Sequence, residues 1–479
     1  MNRQKRVAMD AHHYFFCGIG GSGMMPLAMI VAARGARVTG SDRSLDQGRI
    51  GEKFAALERL GIGLFPQDGS GVAKGQVFVA SAAVEDSVPD VVAATRLGLE
   101  RLSRADLLAR LFNASGERIA VGGTSGKSTV TGMIGWILDQ AGRDPTIMNG
   151  AVMKNYVRPD APFASARVGG GKAFVSEVDE SDGSIALYTP DIAVLNNVAL
   201  DHKSMEELRR LFGDFAGRAR VAIVNADNAE ARALAGANAR TFGFQAGADV
   251  RGTEVAERAD GIDFLANGVP VSLRIPGRHN AANALAALAA CEAAGVVLAK
   301  GAAALAGFAG LKRRLDVVGV GHGVTVIDDF GHNPDKIAAT LETLHAFPGR
   351  LLIMFQPHGY GPLRLMGKEL AETFRSRLKE ADRLFVPDPA YYGGTVDRSQ
   401  GSDALCAAIG PQATHVPLRA EIGPRLLADA HPGDRILIMG ARDDTLSSFA
   451  AEILARLDGQ AGIASIAEKP APGVPWPSG

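Results

Sequence analysis

The sequence predicts an α/β protein built from parallel β-sheets with helices on both faces. Short apolar segments typical of buried strands alternate with helical patterns along almost the whole chain. Two of the strand-to-helix connections, within residues 18–23 and 121–129, are rich in glycine. The chain has 479 residues, too many for one ordinary core, so two or three domains of ~100–200 residues each are expected.

The second glycine-rich connection has the pattern of a phosphate-binding loop. Residues 118–121 are predicted to form a buried strand, and residues 130–141 the helix that follows. In such a loop the backbone N–H groups bind phosphate, Lys127 would neutralise the β- and γ-phosphates, and Ser128 would coordinate Mg²⁺. Val121 stands where the strict pattern has glycine, so the match is to the shorter variant Gly-Thr-x-Gly-Lys-Ser-Thr. A nucleoside triphosphate is the predicted ligand; the alternative is a turn that carries Gly-Lys-Ser by chance.

The first glycine-rich connection matches the dinucleotide-binding pattern G-x-G-x-x-G. It follows a predicted strand at residues 14–17 and precedes an apolar helix at residues 24–33. Asp42 comes at the end of the next predicted strand, where an acidic residue would meet a ribose hydroxyl. A Rossmann-like domain is therefore predicted at the N-terminus. Two ligands remain open, the dinucleotide of an NAD-dependent dehydrogenase and the diphosphate of a nucleotide-linked substrate.

Further strands and boundaries divide the chain into three predicted domains. Candidate strands lie at residues 77–80, 173–176, 192–195, 221–224, 324–327, 351–355, 384–386 and 436–439. We place the first boundary near residue 115 and the second at residues 312–315. The predicted domains are a Rossmann-like domain at residues 1–114, a central domain with a P-loop ATPase-like parallel sheet at 115–312, and a C-terminal Rossmann-like domain at 313–468. The proline-rich residues 469–479 are predicted to be a disordered tail.

Charge and composition exclude several classes of function. The 51 Lys and Arg residues balance 52 Asp and Glu, which indicates no electrostatic surface for nucleic acid or an anionic membrane. The N-terminal residues lack the apolar stretch of a signal peptide, and the most apolar region, residues 281–311, is interrupted by polar residues, which favours a buried helix pair over a membrane span. The three cysteines form no disulfide or metal pattern. We expect a cytoplasmic protein, monomeric or homodimeric.

Three polar clusters follow predicted strands or open a predicted helix. Glu177 lies in an acidic segment at the end of a strand, where a second metal ligand would sit; a solvated acidic turn is the alternative. His202 also follows a strand, and a single His beside an Asp is more often structural than catalytic. The alanine-rich helix begins with His279, Asn280 and Asn283, which could equally be a polar helix cap.

Two further motifs complete the pattern, Arg-Arg-Leu-Asp at residues 313–316 and Ile-Asp-Asp-Phe-Gly-His-Asn-Pro at residues 327–334. The order and spacing of all these motifs resemble the Mur ligases, ATP-dependent amide-forming enzymes of peptidoglycan synthesis, along nearly the whole chain. Within that family, the ligases that add L-alanine to UDP-N-acetylmuramate are the most similar, and the chain resembles a divergent member.

The resemblance implies three groups of site residues. The UDP-sugar site would comprise Gly18, Gly20, Gly21, Ser22, Gly23, Asp42 and Ser81. The ATP site would comprise Gly123, Thr124, Ser125, Gly126, Lys127, Ser128, Thr129, His279, Asn280, Asn283, Arg314 and Asp329. The catalytic residues would be Lys127, Glu177 and His202, and the metal ligands Ser128, Glu177 and His202.

The resemblance also implies the reaction and its cofactors, ATP and Mg²⁺. The carboxylate of UDP-N-acetylmuramate, or of a related UDP-sugar acid, would attack the γ-phosphate of ATP to give an acyl phosphate. The amine of an amino acid or peptide would then displace phosphate and form the amide. Positioning and charge neutralisation are expected to dominate such phosphoryl transfer.

The acceptor side departs from the family pattern. The resemblance places His332, His358 and Arg364 there, but residues 359–363 read Gly-Tyr-Gly-Pro-Leu where the L-alanine-adding ligases carry arginines. Each charge-assisted hydrogen bond to a carboxylate contributes ~1.5–3 kcal/mol, so losing such arginines is not conservative. The sequence therefore leaves the amine open between L-alanine, another amino acid and a peptide, as in recycling ligases, and predicts that L-alanine is a poor acceptor.

Overall fold

The computed structural model describes residues 12–49, 51–81, 84–200, 203–390, 401–441, 443 and 445–459. Within these residues the chain forms three β-sheets with helices packed on them. Contacts divide the chain into two compact units, of which the first holds the first two sheets and the second holds the third sheet. No helix of the described residues is both long enough and apolar enough to cross a membrane.

The strands, numbered in chain order, are β1 His13–Cys17, β2 Arg37–Ser41, β3 Gly63–Phe65, β4 Gln76–Ala80, β5 Glu100–Ser103, β6 Glu117–Gly122, β7 Thr146–Met148, β8 Ala166–Arg167, β9 Ala173–Glu177, β10 Ile192–Leu195, β11 Val221–Asn225, β12 Ala239–Gly243, β13 Val250–Arg258, β14 Gly261–Ala266, β15 Val269–Leu273, β16 Asp316–Gly321, β17 Val324–Asp329, β18 Leu351–Gln356, β19 Arg383–Val386, β20 Ala413–His415 and β21 Arg435–Gly440.

The α-helices are α1 Met24–Ala33, α2 Arg43–Asp46, α3 Gly51–Arg59, α4 Pro89–Arg96, α5 Arg104–Asn113, α6 Lys127–Gln140, α7 Met205–Gly217, α8 Ala229–Ala233, α9 Arg278–Ala293, α10 Leu298–Leu305, α11 Pro334–His345, α12 Tyr360–Arg377, α13 Ser402–Ile409, α14 Arg419–Asp429 and α15 Thr445–Leu457.

The first sheet is parallel throughout and has the order β3-β2-β1-β4-β5. Its central strand β1 carries the apolar run Tyr-Phe-Phe-Cys, which is buried on both faces, as expected of a strand covered by helices on both sides. The strand order matches the first five strands of the Rossmann order 3-2-1-4-5-6, with the first glycine-rich loop between β1 and α1. The predicted Rossmann-like N-terminal domain is confirmed.

The second sheet has ten strands in the order β15-β14-β13-β12-β11-β10-β6-β9-β7-β8. Strand β6 lies between β10 and β9 and pairs with both in parallel. The carboxyl ends of these three strands therefore meet at one edge, where the phosphate-binding loop leaves β6. The predicted parallel sheet of the central domain is confirmed for strands β6, β7 and β9 to β13. Antiparallel pairs extend it at both ends, among β13, β14 and β15 and between β7 and β8.

The alanine-rich region forms the predicted buried helix pair, α9 and α10. Helix α9 is buried around most of its circumference between α6 and the central sheet. Small alanine side chains allow this close packing of a helix with no exposed polar face. The start of α9 is thereby placed at the edge where β6, β9 and β10 end.

The third sheet has the order β16-β17-β21-β18-β19-β20. The pairs β17–β21, β21–β18, β18–β19 and β19–β20 are parallel, and helices α11 to α15 connect or cover these strands. Strands β18 and β21 are completely buried, which fits their apolar sequences. The predicted C-terminal α/β domain is confirmed, whereas the exact domain boundaries stay predictions.

Candidate active site

The phosphate-binding loop runs from Gly122, the last residue of β6, to Lys127, the first residue of α6. Two glycines shape it, with φ of 132° at Gly123 and 80° at Gly126. A Cβ on Gly126 would overlap the side-chain amides of Asn196 and Asn283, so only glycine fits there. The helix starts three residues earlier than predicted, which places Lys127 and Ser128 on its first turn, facing the space enclosed by the loop.

We expect Gly126→Ala to lower the free energy of unfolding by about 1–3 kcal/mol and to weaken nucleotide binding at least ~10-fold. A left-handed residue with a Cβ costs roughly 1–2 kcal/mol by itself, and the overlap with the two asparagines adds to it. Gly142→Ala is the matched control, since Gly142 follows the other end of α6 with φ of 77° and no atom within 4 Å of an added Cβ. Urea unfolding and calorimetric ADP titration would measure both effects. Equal behaviour of the two variants would contradict the assigned role of Gly126.

Two asparagines directly after β10 hold the loop in place. The Oδ1 atom of Asn197 accepts hydrogen bonds from the Thr124 hydroxyl and the Ser125 N–H, both at 2.9 Å. The Nδ2 group of Asn196 donates to the Ser125 carbonyl and to Asn283 Oδ1, both at 3.0 Å. Neither asparagine was singled out from the sequence, although two amides immediately after a buried strand at the sheet edge are the signal that could have found them.

Lys127 is held by an acidic residue that the sequence reasoning missed. Its Nζ group donates to the Gly123 carbonyl at 2.8 Å and to Glu180 Oε2 at 2.7 Å. The Glu180 side chain is only 5% exposed. Burial raises the pKa of Glu180 above its ordinary value, although the charge of Lys127 opposes the shift. Lys127 therefore does not project freely into solvent, because its ammonium is ion-paired with a buried carboxylate.

The predicted metal ligands Ser128 and Glu177 lie in direct contact. The Ser128 hydroxyl donates to Glu177 Oε2 at 2.7 Å, and Asn149 Nδ2 donates to the Ser128 carbonyl at 2.9 Å. A Cβ on Gly150 would overlap Glu177 Oε1, so the absence of a side chain at Gly150 lets this carboxylate pack closely against the backbone there. His202 falls outside the described residues. Among the described residues no group of three or more His, Cys, Asp and Glu side chains could hold a metal ion by itself.

The start of α9 reaches the same edge. Asn283 accepts from Asn196 and donates to Asn280 Oδ1 at 3.3 Å, and Asn280 Nδ2 donates to the Pro276 carbonyl at 2.7 Å. Both asparagines are buried, whereas His279 is exposed. The structure thus links two of the three predicted residues of this helix start to the phosphate-binding loop.

In the first sheet, Asp42 supports the glycine-rich loop. Its Oδ2 accepts the Gly20 N–H at 2.8 Å and its Oδ1 accepts the Ser44 N–H at 2.8 Å, which caps α2. Both carboxylate oxygens therefore already bind backbone. Gly18 has φ of 77°, Ser22 is exposed, and Ser81 follows β4 at the same edge.

The predicted acceptor residues lie in the unit that holds the third sheet. The rings of His332 and His358 stand nearly perpendicular, with centroids 5.2 Å apart, and border a cavity of about 10 Å³. Arg364 lies exposed on the first turns of α12. Asp329 ends β17, is buried, and accepts the Gly331 N–H at 3.0 Å.

Arg314, predicted to contact the nucleotide, belongs to the unit with the first two sheets. Its Nη1 donates to the Arg313 carbonyl at 3.2 Å. Its two neighbours have left-handed backbone, with φ of 61° at Arg313 and 45° at Leu315, which is uncommon for such residues. The next residue, Asp316, is fixed by Lys154 at 2.6 Å.

Comparison with known proteins identifies the family. Three family profiles match in succession, the Mur ligase family catalytic domain at residues 13–115, the Mur ligase middle domain at 121–291 and the Mur ligase glutamate ligase domain at 313–442. The UDP-N-acetylmuramate--L-alanine ligase of Streptomyces avermitilis is 36% identical, with 95% of this chain and 99% of the relative covered. The chain belongs to the Mur ligase family.

Two more relatives agree with this assignment. The UDP-N-acetylmuramate--L-alanine ligase of Cereibacter sphaeroides is 34% identical over 96% of this chain and 100% of its own length. The crystal structure of the UDP-N-acetylmuramate-alanine ligase of Thermotoga maritima superposes with a TM-score of 0.76, at 24% identity, and covers 94% of this chain and 99% of that chain. The similarity to the Thermotoga maritima structure is a similarity of the three-domain fold.

Membership decides the class of reaction. As a Mur ligase the chain is an ATP-dependent, amide-forming ligase of peptidoglycan synthesis. The alternative of an NAD-dependent dehydrogenase finds no support, and the first glycine-rich loop is explained by the family's N-terminal domain. The roles of individual site residues stay predictions.

Proposed function

We propose that this Mur ligase joins the carboxylate of UDP-N-acetylmuramate to the amine of L-alanine. The observation that carries the proposal is full-length similarity, at 34–36% identity, to relatives named for that reaction. The site geometry supports it, since a phosphate-binding loop, an acidic strand end and a first glycine-rich loop occur in one compact unit. ATP and UDP-sugars are cytoplasmic metabolites, so the proposed reaction takes place in the cytoplasm.

The loop residues fit the triphosphate of ATP. Gly123 and Gly126 let the loop backbone pack against the asparagines that follow β10, where an added Cβ would overlap them. The N–H groups at the start of α6 provide an anion site. Lys127 lies at the end of this loop, and its ammonium donates hydrogen bonds to Glu180 and to the Gly123 carbonyl. In the proposed first step a carboxylate oxygen of the sugar acid bonds to the γ-phosphorus while the bond to ADP breaks, and Lys127 would neutralise the charge that develops on the phosphate oxygens.

The residues around Ser128 fit Mg²⁺. A hydroxyl and a carboxylate are hard oxygen donors of the kind that Mg²⁺ prefers, and Ser128 and Glu177 place such donors side by side at the first turn of α6. We propose that these two residues, with His202, hold the ion. A bound Mg²⁺ would shield the negative charge of the phosphate oxygens during transfer.

The second step requires an amine next to the acyl phosphate. Its nitrogen would attack the acyl carbon, the bond to the phosphate oxygen would break, and the amine would lose a proton. We assign the amine to the surroundings of His332, His358 and Arg364, which the resemblance to the family places on the acceptor side. The named relatives favour L-alanine over the alternative amines, despite the missing arginines at residues 359–363.

The test is phosphate release with ATP and UDP-N-acetylmuramate saturating and the amine varied among L-alanine, glycine, L-serine and the tripeptide of peptidoglycan recycling. We expect the highest kcat/KM with L-alanine. Preferred use of the tripeptide would show a recycling ligase. Absence of turnover with every amine would contradict UDP-N-acetylmuramate as the acid substrate.

Arg364→Ala is expected to raise the KM for the amine about 10–100-fold and to leave the KM for ATP unchanged, because one charge-assisted hydrogen bond to a carboxylate contributes ~1.5–3 kcal/mol. Arg375→Ala is the matched control, since Arg375 lies exposed near the end of the same helix α12. Equal KM values for the amine in the two variants would exclude Arg364 from the acceptor site.

A further inference from the structure

Two side chains of the short acidic turn at residues 179–182 form ion pairs with residues of other elements. Glu180 binds Lys127 of the phosphate-binding loop at 2.7 Å. Two residues later, Asp182 binds Arg104 at 3.6 Å, with side-chain exposures of 35% and 24%. Asp179 stiffens the turn. Burial tends to raise the pKa of Asp179, but the hydrogen bonds from Ser181, together with the charges of Lys127 and Arg104, hold the pKa below its ordinary value. One turn thus holds a cation from each of two different elements.

Arg104 also touches the first glycine-rich loop. A Cβ on Gly23, the last glycine of that loop, would lie 3.0 Å from Arg104 Cδ. The stem of Arg104 therefore packs against the loop backbone while its guanidinium reaches Asp182. Arg104 opens α5, whose start is fixed by a capping box in which Ser103 and Asp106 exchange hydrogen bonds.

The other end of α5 is packed into the central sheet. The ring of Phe112 lies 5.7 Å from that of Phe174 in β9 and 5.2 Å from that of Tyr188, and all three residues are fully buried. These rings belong to one hydrophobic cluster shared by the first two sheets. Helix α5 is therefore anchored in the second sheet while its first residue supports a loop of the first.

We propose that Glu180 and Asp182 are positioning residues that couple the UDP-sugar loop to the ATP loop. The inference rests on the proposed function, which assigns the two loops their ligands. A nucleotide that orders one loop also orders the shared turn, so the second nucleotide binds with less ordering left to do. The coupling is positive. Because linkage is reciprocal, each nucleotide raises the binding affinity of the other by the same factor.

The experiment is calorimetric titration of the full chain with a non-hydrolysable ATP analogue and Mg²⁺, with and without saturating UDP-N-acetylmuramate. In the wild type we expect the sugar nucleotide to lower the Kd of the analogue about fivefold or more, and the reverse titration to give the same factor. In Asp182→Asn we expect that ratio to fall to about one while each ligand alone still binds. Asp182→Glu keeps the charge and is expected to restore coupling.

The control is Asp160→Asn, which removes a similar but remote pair, because Asp160 binds Arg158 at 3.1 Å on the exposed surface. A ratio of one in the wild type, or a full ratio in Asp182→Asn, would overturn the coupling. Failure of the wild type to bind UDP-N-acetylmuramate would overturn the proposed function together with this inference, whereas binding of both ligands without coupling would overturn this inference alone.

Discussion

Lys127→Met is expected to lower kcat for ATP-dependent phosphate release by a factor of at least about 10²–10³. The ammonium of Lys127 lies at the loop that would hold the triphosphate, and removing one preorganised donor to a developing charge typically has an effect of this size. The measurement is a coupled phosphate assay under saturating substrates, because the loss should appear in kcat and not only in the KM for ATP.

The same substitution is expected to destabilise the fold, because Glu180 would remain buried without its cation. Removing one partner of a buried ion pair costs about 3–5 kcal/mol, less where the stranded carboxyl takes up a proton. The raised pKa of Glu180 makes that proton uptake easier. Urea unfolding of Lys127→Met would measure the loss.

The double variant Lys127→Met with Glu180→Gln separates the two effects. Glutamine removes the stranded charge and should restore much of the free energy of unfolding, whereas phosphate release should stay as low as in the single variant. Wild-type turnover in either variant would exclude Lys127 from catalysis. Unchanged stability in the single variant would show that the contact with Glu180 contributes nothing to folding.

Local pattern was sufficient for the apolar, buried strands and for the glycine-rich loops. Strand β10 was predicted at its observed bounds because Ile-Ala-Val-Leu is a continuous apolar run between polar residues, and both faces of the strand are buried. The loop of Gly123 and Gly126 was predicted because a left-handed backbone at a strand-to-helix turn demands glycine at defined positions. Such features depend on neighbours in sequence and need no tertiary information.

The antiparallel part of the second sheet was missed because its strands lack such runs. In β13 buried and more exposed positions alternate, and five of the nine residues are charged or polar, among them Arg251 and Glu254. Glu254 also has a positive φ of 52°. The helix start at Lys127 was missed for a similar reason, since apolar residues first appear at Val130 and the polar first turn carries no periodic signal.

Contacts between distant segments could not be predicted residue by residue. The pair Lys127–Glu180 spans 53 residues and the pair Asn197–Ser125 spans 72, and both depend on which strands become neighbours of β6. The position of Asp42 was predicted, but a sequence pattern cannot distinguish a ribose ligand from a carboxylate that binds the Gly20 and Ser44 N–H groups. Ser128 and Glu177 were placed together through the resemblance, and the structure brings them into contact.

Glu177→Gln is expected to raise the Mg²⁺ concentration for half-maximal activity about tenfold or more, because the proposed site loses its only charged ligand among the described residues. His202→Ala should have an effect of the same kind. The measurement is phosphate release as a function of free Mg²⁺ at saturating ATP. Glu206→Gln, an exposed glutamate at the start of α7, is the control and should leave the Mg²⁺ dependence unchanged.

The double variant Glu177→Gln with His202→Ala gives the sharper test. If both residues bind the same ion, the second substitution has little effect once the first has already weakened binding of the ion. The combined loss should be close to that of the more harmful single variant, far below the product of the two. Ser128→Ala combined with Glu177→Gln should show the same lack of additivity, since Ser128 lies 2.7 Å from the Glu177 carboxylate. Losses that multiply in both cycles would mean that these residues serve separate functions, and the single magnesium site would have to be abandoned.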